Sequence, residues 1–315
     1  FCRARKEFCF RTHTIPQVAI LHSETSYYKY NDPLFNFGPA NKAMEGALHA
    51  VLENGYSADL LNEEMLMERM AQYPMVIVPE AENVPEAVKE ALQSYVKRGG
   101  RLVLSGAHVA RQYGKLAGVE PKAGDPQGGW LPADGGAVTL SGAFQPVELK
   151  KAKSLAPLLY QQDPELNQRD MPAATLNAFG DGAVVALYGP VFAAYYSAHY
   201  PRLRSFIGEA LTALNPKNLI HIEGPWWVEM SARQRDGKRY IQFVNRSAAG
   251  YLAPDRHMVE HVPDAGPFTV TVPLPEKPKR CYLAPDEAGL EWTWNEGVLT
   301  ARISGLSIHN VLVIE

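Results

Sequence analysis

MVIVPEAENVPEAVKEALQSYVKRGGRLVLS, residues Met75 to Ser105, reads as strand, helix, strand, and it decides the fold of the N-terminal part of the chain. Met75 to Val78 is a short run without a polar side chain, which suits a central strand covered on both faces. Val84, Val88, Ala91, Leu92 and Tyr95 then recur at helical spacing. Asn83 stands where a cap belongs, Glu86 follows three residues on, and Lys97 and Arg98 complement the negative end of the helix before Gly99 stops it. Leu102 to Ser105 supplies the next strand. A strand-helix-strand unit of this length returns its second strand parallel to the first.

Upstream the same alternation continues. VAIL (Val18 to Leu21) is a second apolar run, and an aromatic loop is expected from His22 to Phe37. Met44, Leu48, Val51 and Leu52 form a helical face that ends at Asn54-Gly55. A weaker strand at Ala58 to Leu61 precedes a short helix after Asn62, with Glu63 and Glu64 in its first turn. Downstream, Gly- and Pro-rich chain from Gly114 to Gly136 is expected to interrupt the pattern. AVVALYG (Ala183 to Gly189) restores a strand, and a helix runs from Pro201 to Leu214 with Leu203, Phe206, Ile207, Ala210 and Leu211 on one face. The reading is an α/β domain with an open, mostly parallel sheet, whose ligand-facing loops lie at the carboxyl ends of its strands.

Past Pro216 the period becomes two. Trp226, Val228 and Met230 alternate with Trp227, Glu229 and Ser231 before Asp236-Gly237, and Tyr240 to Asn245 is the expected partner strand. Phe268, Val270, Val272 and Leu274 alternate likewise. Leu290 to Asn295 pairs with Val298 to Ile303 across Glu296-Gly297, and HNVLVIE closes the chain. About seven short strands predict an all-β sandwich. The expected division is a connection over residues 1–16, an α/β domain over 17–216 and a sandwich over 217–315.

A chain of 315 residues accommodates two ordinary cores. With 46% hydrophobic and 21% charged residues and a net charge of −3, it lacks the basic footprint of a nucleic-acid binder. No apolar run approaches the roughly 20 residues that cross a bilayer, and the N-terminus lacks the order of a signal peptide, so no membrane partner is expected. Its compartment is not written in these residues. Cys2, Cys9 and Cys281 are too few for a disulfide framework. Cys2, Cys9 and His13 lack a fourth ligand at finger-like spacing. The opening FCRARKEFCFRTHT reads as an inter-domain connection, and thus the chain as a fragment or processed form.

The opening VAILHSETSYY, the helix end YVKRGGRLVLSG, the segment FGDGAVVALYG and the later WWVEMSARQRDGKRYIQFVN together resemble the C-terminal region of hypothetical glycosyl-hydrolase-like proteins. These are related to β-galactosidases that carry a trimerisation domain. The resemblance covers nearly the whole chain and implies a flavodoxin-like or class I glutamine amidotransferase-like domain followed by a β-sandwich. It further implies an upstream TIM-barrel domain that carries the catalytic carboxylates. The expected role is then accessory: support of that barrel and homo-oligomerisation, with carbohydrate as a further partner and no cofactor.

Chemistry within the chain is weighed against that expectation. Class I amidotransferases use a cysteine on a strand-to-helix elbow, and no cysteine lies between Cys9 and Cys281. Ser105 and His108, with Glu80 after MVIVP, are the catalytic candidates of a stand-alone hydrolase. Glu80 with Glu24 offers an acid-base pair. Glu24, Tyr27, Tyr28, Tyr195 and His199 are candidates to border a cleft. His257, Glu260 and His261 spell H-x-x-E-H, a zinc-protease spacing that requires a helix, whereas Pro254 and Pro263 crowd it and the surroundings read as strands. Trp226, Trp227, Trp292 and Trp294 suit sugar stacking, yet Trp292, Trp294 and Leu290 share one strand face and fit a core.

Overall fold

The structure, a computed structural model, describes residues 1–30, 41–133, 136–163, 168–247, 251–253, 256–257 and 261–315. The chain forms two compact units. One comprises Val18–Ala50 and Asp59–Lys217; the other comprises Phe1–Gln17, Val51–Ala58 and Asn218–Glu315.

The first unit is mixed α/β. Its nine-stranded sheet runs in the order Ala58–Leu61, Val18–Leu21, Met75–Pro79, Arg101–Ser105, Gly182–Leu187, Gln168–Phe179, Lys153–Leu159, Trp130–Ala133 and Gly136–Thr139. Val18–Leu21, Met75–Pro79, Arg101–Ser105 and Gly182–Leu187 pair parallel. Val18–Leu21 and Met75–Pro79 are buried along their whole length, as strands without polar side chains must be to have both faces covered. Helix Glu86–Lys97 links two of them, burying Val88, Leu92, Tyr95 and Val96. Its side-chain cap is not Asn83: Pro85 stands at the N-cap, and Asn83 instead accepts a hydrogen bond from Lys29 Nζ at 2.7 Å. Asn62 does cap the helix Glu63–Arg69, accepting from the Met65 amide at 2.9 Å.

Two expectations are corrected. The aromatic stretch after Val18–Leu21 is not all loop, since Glu24–Tyr30 is helical. The Gly- and Pro-rich stretch does not merely interrupt the sheet. It holds the strands Val119–Pro121 and Trp130–Ala133, and the chain beyond it completes an antiparallel wing, so the sheet is mixed rather than mostly parallel. The wing is irregular for a visible reason: Pro157 stands opposite Pro172 where two amide donors are missing, and the register shifts on either side.

The second unit is a sandwich of two antiparallel sheets. One runs His13–Thr14, Val228–Arg235, Lys238–Asn245, His309–Ile314 and Cys281–Ala284; the other runs His221–Glu223, Phe268–Pro273, Val298–Ile303 and Glu291–Asn295. The tight connections Asp236-Gly237 and Glu296-Gly297 both have two residues at positive φ, the geometry that matches strand twist in a two-residue hairpin. Phe243 and Phe268 meet edge to face at 5.3 Å in the core between the sheets. Trp227, Leu290, Trp292 and Trp294 pack against that core. Trp226 does not continue the inward face of Val228 and Met230: the strand begins only at Val228, and Trp226 is 43% exposed in the preceding turn.

Residues 1–16 contain the helix Cys2–Cys9 and the strand His13–Thr14, which pairs with Val228–Arg235. The outer face of the five-stranded sheet carries a second apolar cluster of Tyr240, Tyr282, Ala284, Val311 and Val313, and Phe8 and Cys9 pack on it. Arg233 ties the segment down, donating from Nη2 to the Thr12 carbonyl at 2.6 Å and from Nε to Thr12 Oγ1 at 3.2 Å. Arg5 Nη2 donates to the His309 carbonyl at 2.9 Å.

Candidate functional site

Parallel strands end on one edge, and here that edge brings together Glu80 with the buried polar residues Ser23, Ser105 and His108. Glu80 follows Met75–Pro79 at φ 54, in the left-handed region that few non-glycine residues occupy. Its amide donates to the Ser105 carbonyl at 2.9 Å, which continues the parallel ladder one residue past the strand and turns the side chain across its neighbours. Oε1 accepts from the Phe192 amide at 2.7 Å and from Ser105 Oγ at 3.1 Å, and Oε2 accepts from the Ala193 amide at 3.2 Å. Phe192 and Ala193 open the helix Val191–Ala198, whose N-cap is Pro190 and has no side-chain hydrogen bond to offer. Glu80 therefore caps that helix from a distant strand, placing a carboxyl at the positive end of its dipole.

The carboxyl group is enclosed by protein although part of the residue reaches the surface. Burial pushes it up to about 7, against the opposite pull of the Phe192 amide, the Ser105 hydroxyl and the Ala193 amide. Ser105 Oγ also lies 3.1 Å from the Gly189 carbonyl and has no solvent exposure. One hydroxyl proton serves two acceptors when Glu80 is ionised. When Glu80 is protonated, the acid proton can go to Ser105 and the serine proton to Gly189, so every acceptor is served.

His108 lies beside this group without joining it. Its ring sits against Gly106, whose φ is 128; a Cβ there would come within 2.4 Å of the imidazole Cε1 and 3.4 Å of Glu80 Cα. Burial holds the imidazole down at about 4, with Glu82 pulling upward, Arg111 pulling downward and a backbone hydrogen bond to Ala81 pulling upward. Nε2 is buried without a hydrogen-bond partner among the described residues. The structure thus joins Ser105 to Glu80 and to the Gly189 carbonyl, and gives Ser105 no hydrogen bond to His108.

Glu24 is engaged elsewhere: its Oε1 accepts from Asn62 Nδ2 at 3.0 Å. Glu63, which the sequence reading placed only in a helix first turn, reaches across to accept from Ser23 Oγ at 2.8 Å and from the Glu24 amide at 3.0 Å, anchoring the helix Glu24–Tyr30. A cavity of about 100 Å³ opens between the ends of Val18–Leu21 and Met75–Pro79, lined by His22, Ser23, Tyr27, Asn41, Glu80 and Glu82 among others. This is the place where the strand order reverses, the usual ligand position in open α/β sheets. His22, Tyr27 and Tyr28 follow one another edge to face, each pair 5.3 Å apart, with Tyr28 largely exposed. Tyr195 is fully buried beneath His199, with ring centres 4.8 Å apart, so only His199 of that pair faces solvent.

Of the H-x-x-E-H residues, His257 lies in the strand Arg256–His257, paired with Tyr251–Ala253; His261 lies outside helix and strand; and Glu260 falls outside the described residues. Cys2 is exposed, Cys9 is partly covered and Cys281 is buried, its thiol pushed up to about 11 by burial. No described helix is long and apolar enough to cross a membrane.

No protein-family model and no curated protein matches the chain. Solved structures do. The chain superposes over its full length on an α-L-fucosidase isoenzyme 2 from Paenibacillus thiaminolyticus with a TM-score of 0.82 and 17% identity, covering 50% of that enzyme. A β-galactosidase from Bacillus circulans sp. alkalophilus matches 99% of the chain with a TM-score of 0.61 and 15% identity, covering 43% of the enzyme. One from the Antarctic haloarchaeon Halorubrum lacusprofundi matches 99% with a TM-score of 0.56 and 16% identity, covering 41%. At these identities the likeness is one of fold, and the chain spans half or less of each glycoside hydrolase.

Proposed function

We propose that the chain is a non-catalytic pair of modules from the C-terminal region of a glycoside-hydrolase-like protein, where it supports an upstream TIM barrel and carries self-association through the α/β unit. The observation that carries this reading is the end-to-end match of both units together to half of a glycosidase chain. The order 2-1-3-4 of the first four strands, with Gly182–Leu187 added in parallel beside them, supports a flavodoxin-like or amidotransferase-like ancestry for the first unit. The state of the sheet edge supports the word non-catalytic. Glu80 is committed to two helix amides, and Ser105 is inaccessible and shares its proton between Glu80 and a carbonyl. A nucleophile needs both access and a base.

The rival reading is a stand-alone hydrolase using Ser105, His108 and Glu80, which the hydrogen bond between Ser105 and Glu80 favours. Assay of the 315-residue chain against aryl glycosides and aryl esters separates the two. No turnover is expected, with Ser105→Ala indistinguishable from the parent. Turnover abolished by Ser105→Ala would overturn the accessory reading. The coding region upstream of Phe1 gives an independent check: an open frame encoding repeated strand-helix units with carboxylates at strand ends is expected.

A further inference from the structure

We propose that the outer face of the four-stranded sheet binds a neutral carbohydrate in a groove centred on Arg302. In this sheet Phe268, Val270 and Val272 face the core, so Thr269 and Thr271 face outward, and the same alternation turns Thr300 and Arg302 outward from the next strand. Pairing places these residues in rows. Thr269, Arg302 and Glu291 stand directly opposite one another across three strands; Thr271, Thr300 and Thr293 form the adjacent row. Over this lattice lies an open groove of about 520 Å³, lined by Thr269, Glu291, Thr293, Thr300 and Arg302. Trp292, on the sheet's outermost strand, packs against the core and also lines the groove.

The chemistry of the groove selects its occupant. Arg302 and Glu291 are exposed and cross-strand neighbours, yet neither side chain forms an ion pair or hydrogen bond with another described residue. They offer several donors and several acceptors side by side with no net charge. An anion would meet Glu291 and a cation would meet Arg302. A neutral ligand with adjacent hydroxyls, each both donor and acceptor, satisfies the two together. The threonine hydroxyls extend this set, and their methyl groups provide apolar surface for the C–H face of a pyranose. The strands hold all of these positions in register, so the array is formed before any ligand arrives. The choice of a glycan over another polyol rests on the glycoside-hydrolase reading above; the groove itself does not.

The test uses the whole 315-residue chain. Calorimetric titration and affinity electrophoresis are run with cellotetraose, xylotetraose, mannotetraose and galactotetraose, and with an oligogalacturonide and a chitosan oligomer as charged controls. At least one neutral oligosaccharide should bind with a Kd of roughly 0.1–10 mM, the range expected of a shallow exposed groove, and more tightly than either charged oligomer. Arg302→Ala and Thr300→Val should each weaken it tenfold or more while circular dichroism and unfolding midpoint stay unchanged. Trp226→Ala, which lies outside the groove, should leave binding intact. Absence of binding by every neutral oligosaccharide, tighter binding of a charged one, or binding indifferent to Arg302→Ala would each overturn the proposal. None of these results bears on whether the parent protein is a hydrolase, which the upstream coding region decides separately.

Discussion

Glu80 and His108 illustrate how two buried groups can hide one another's titration. The Glu80 carboxyl is raised to about 7 in the folded chain, so the folded state holds a proton that the unfolded chain releases near 4.5; its contribution to stability is complete below that value and lost as pH rises toward 7. The His108 imidazole is held at about 4, so the unfolded chain binds a proton near 6.5 that the folded state refuses; its contribution is complete above 6.5 and lost as pH falls toward 4. Between 4.5 and 6.5 the two slopes have opposite sign and cancel. Urea unfolding of the parent should therefore vary little across that window from these groups. Glu80→Gln should unmask stability that rises with pH, and His108→Gln stability that falls with pH, each by at most about 3 kcal/mol over the window. Identical flat profiles in both variants would refute the assignment. Gly106 is the second sensitive residue: at φ 128, with His108 and Glu80 closing over it, Gly106→Ala should cost at least about 2 kcal/mol, read as a lower denaturation midpoint.

Among the elements, the parallel strands were legible because total burial leaves an unbroken apolar run, as in Val18–Leu21 and Met75–Pro79. The antiparallel wing was not. Trp130–Ala133 and the chain beyond it carry prolines and lack a clean period, and their positions are set by partners remote in sequence. The sheet-edge site was legible to the same extent. Glu80, Ser105 and His108 stand at strand ends and could be grouped from sequence, but the helix amides that hold Glu80 lie 112 and 113 residues away and leave no local signal. The helix Cys2–Cys9 was missed for a different reason: it has no apolar stripe, burying no residue fully and resting on Phe8 and Cys9. That modest contact still covers a hydrophobic sheet face. Phe8→Ala should lower stability by roughly 1–2 kcal/mol and raise the binding of a hydrophobic dye, as exposed Tyr282 and Val313 would require.

For the molecule as a whole, neither unit is a single run of chain: Val51–Ala58 clusters with the sandwich, where the Ile222 amide donates to the Gly55 carbonyl at 2.9 Å and leaves no room for a Cβ on Gly55. A cut at residue 217 would therefore remove this stretch's partners. The helix near Phe1 extends the same property to the ends of the sequence. Arg5 bonds a carbonyl 304 positions later, and Phe8 rests on an apolar cluster that includes Val311 and Val313 of the final strand. On the ribosome, the residues of this stretch made first must wait through almost all of its synthesis for the surface they cover. During that wait, Phe8 and Cys9 lack the apolar surface that they rest on in the finished fold.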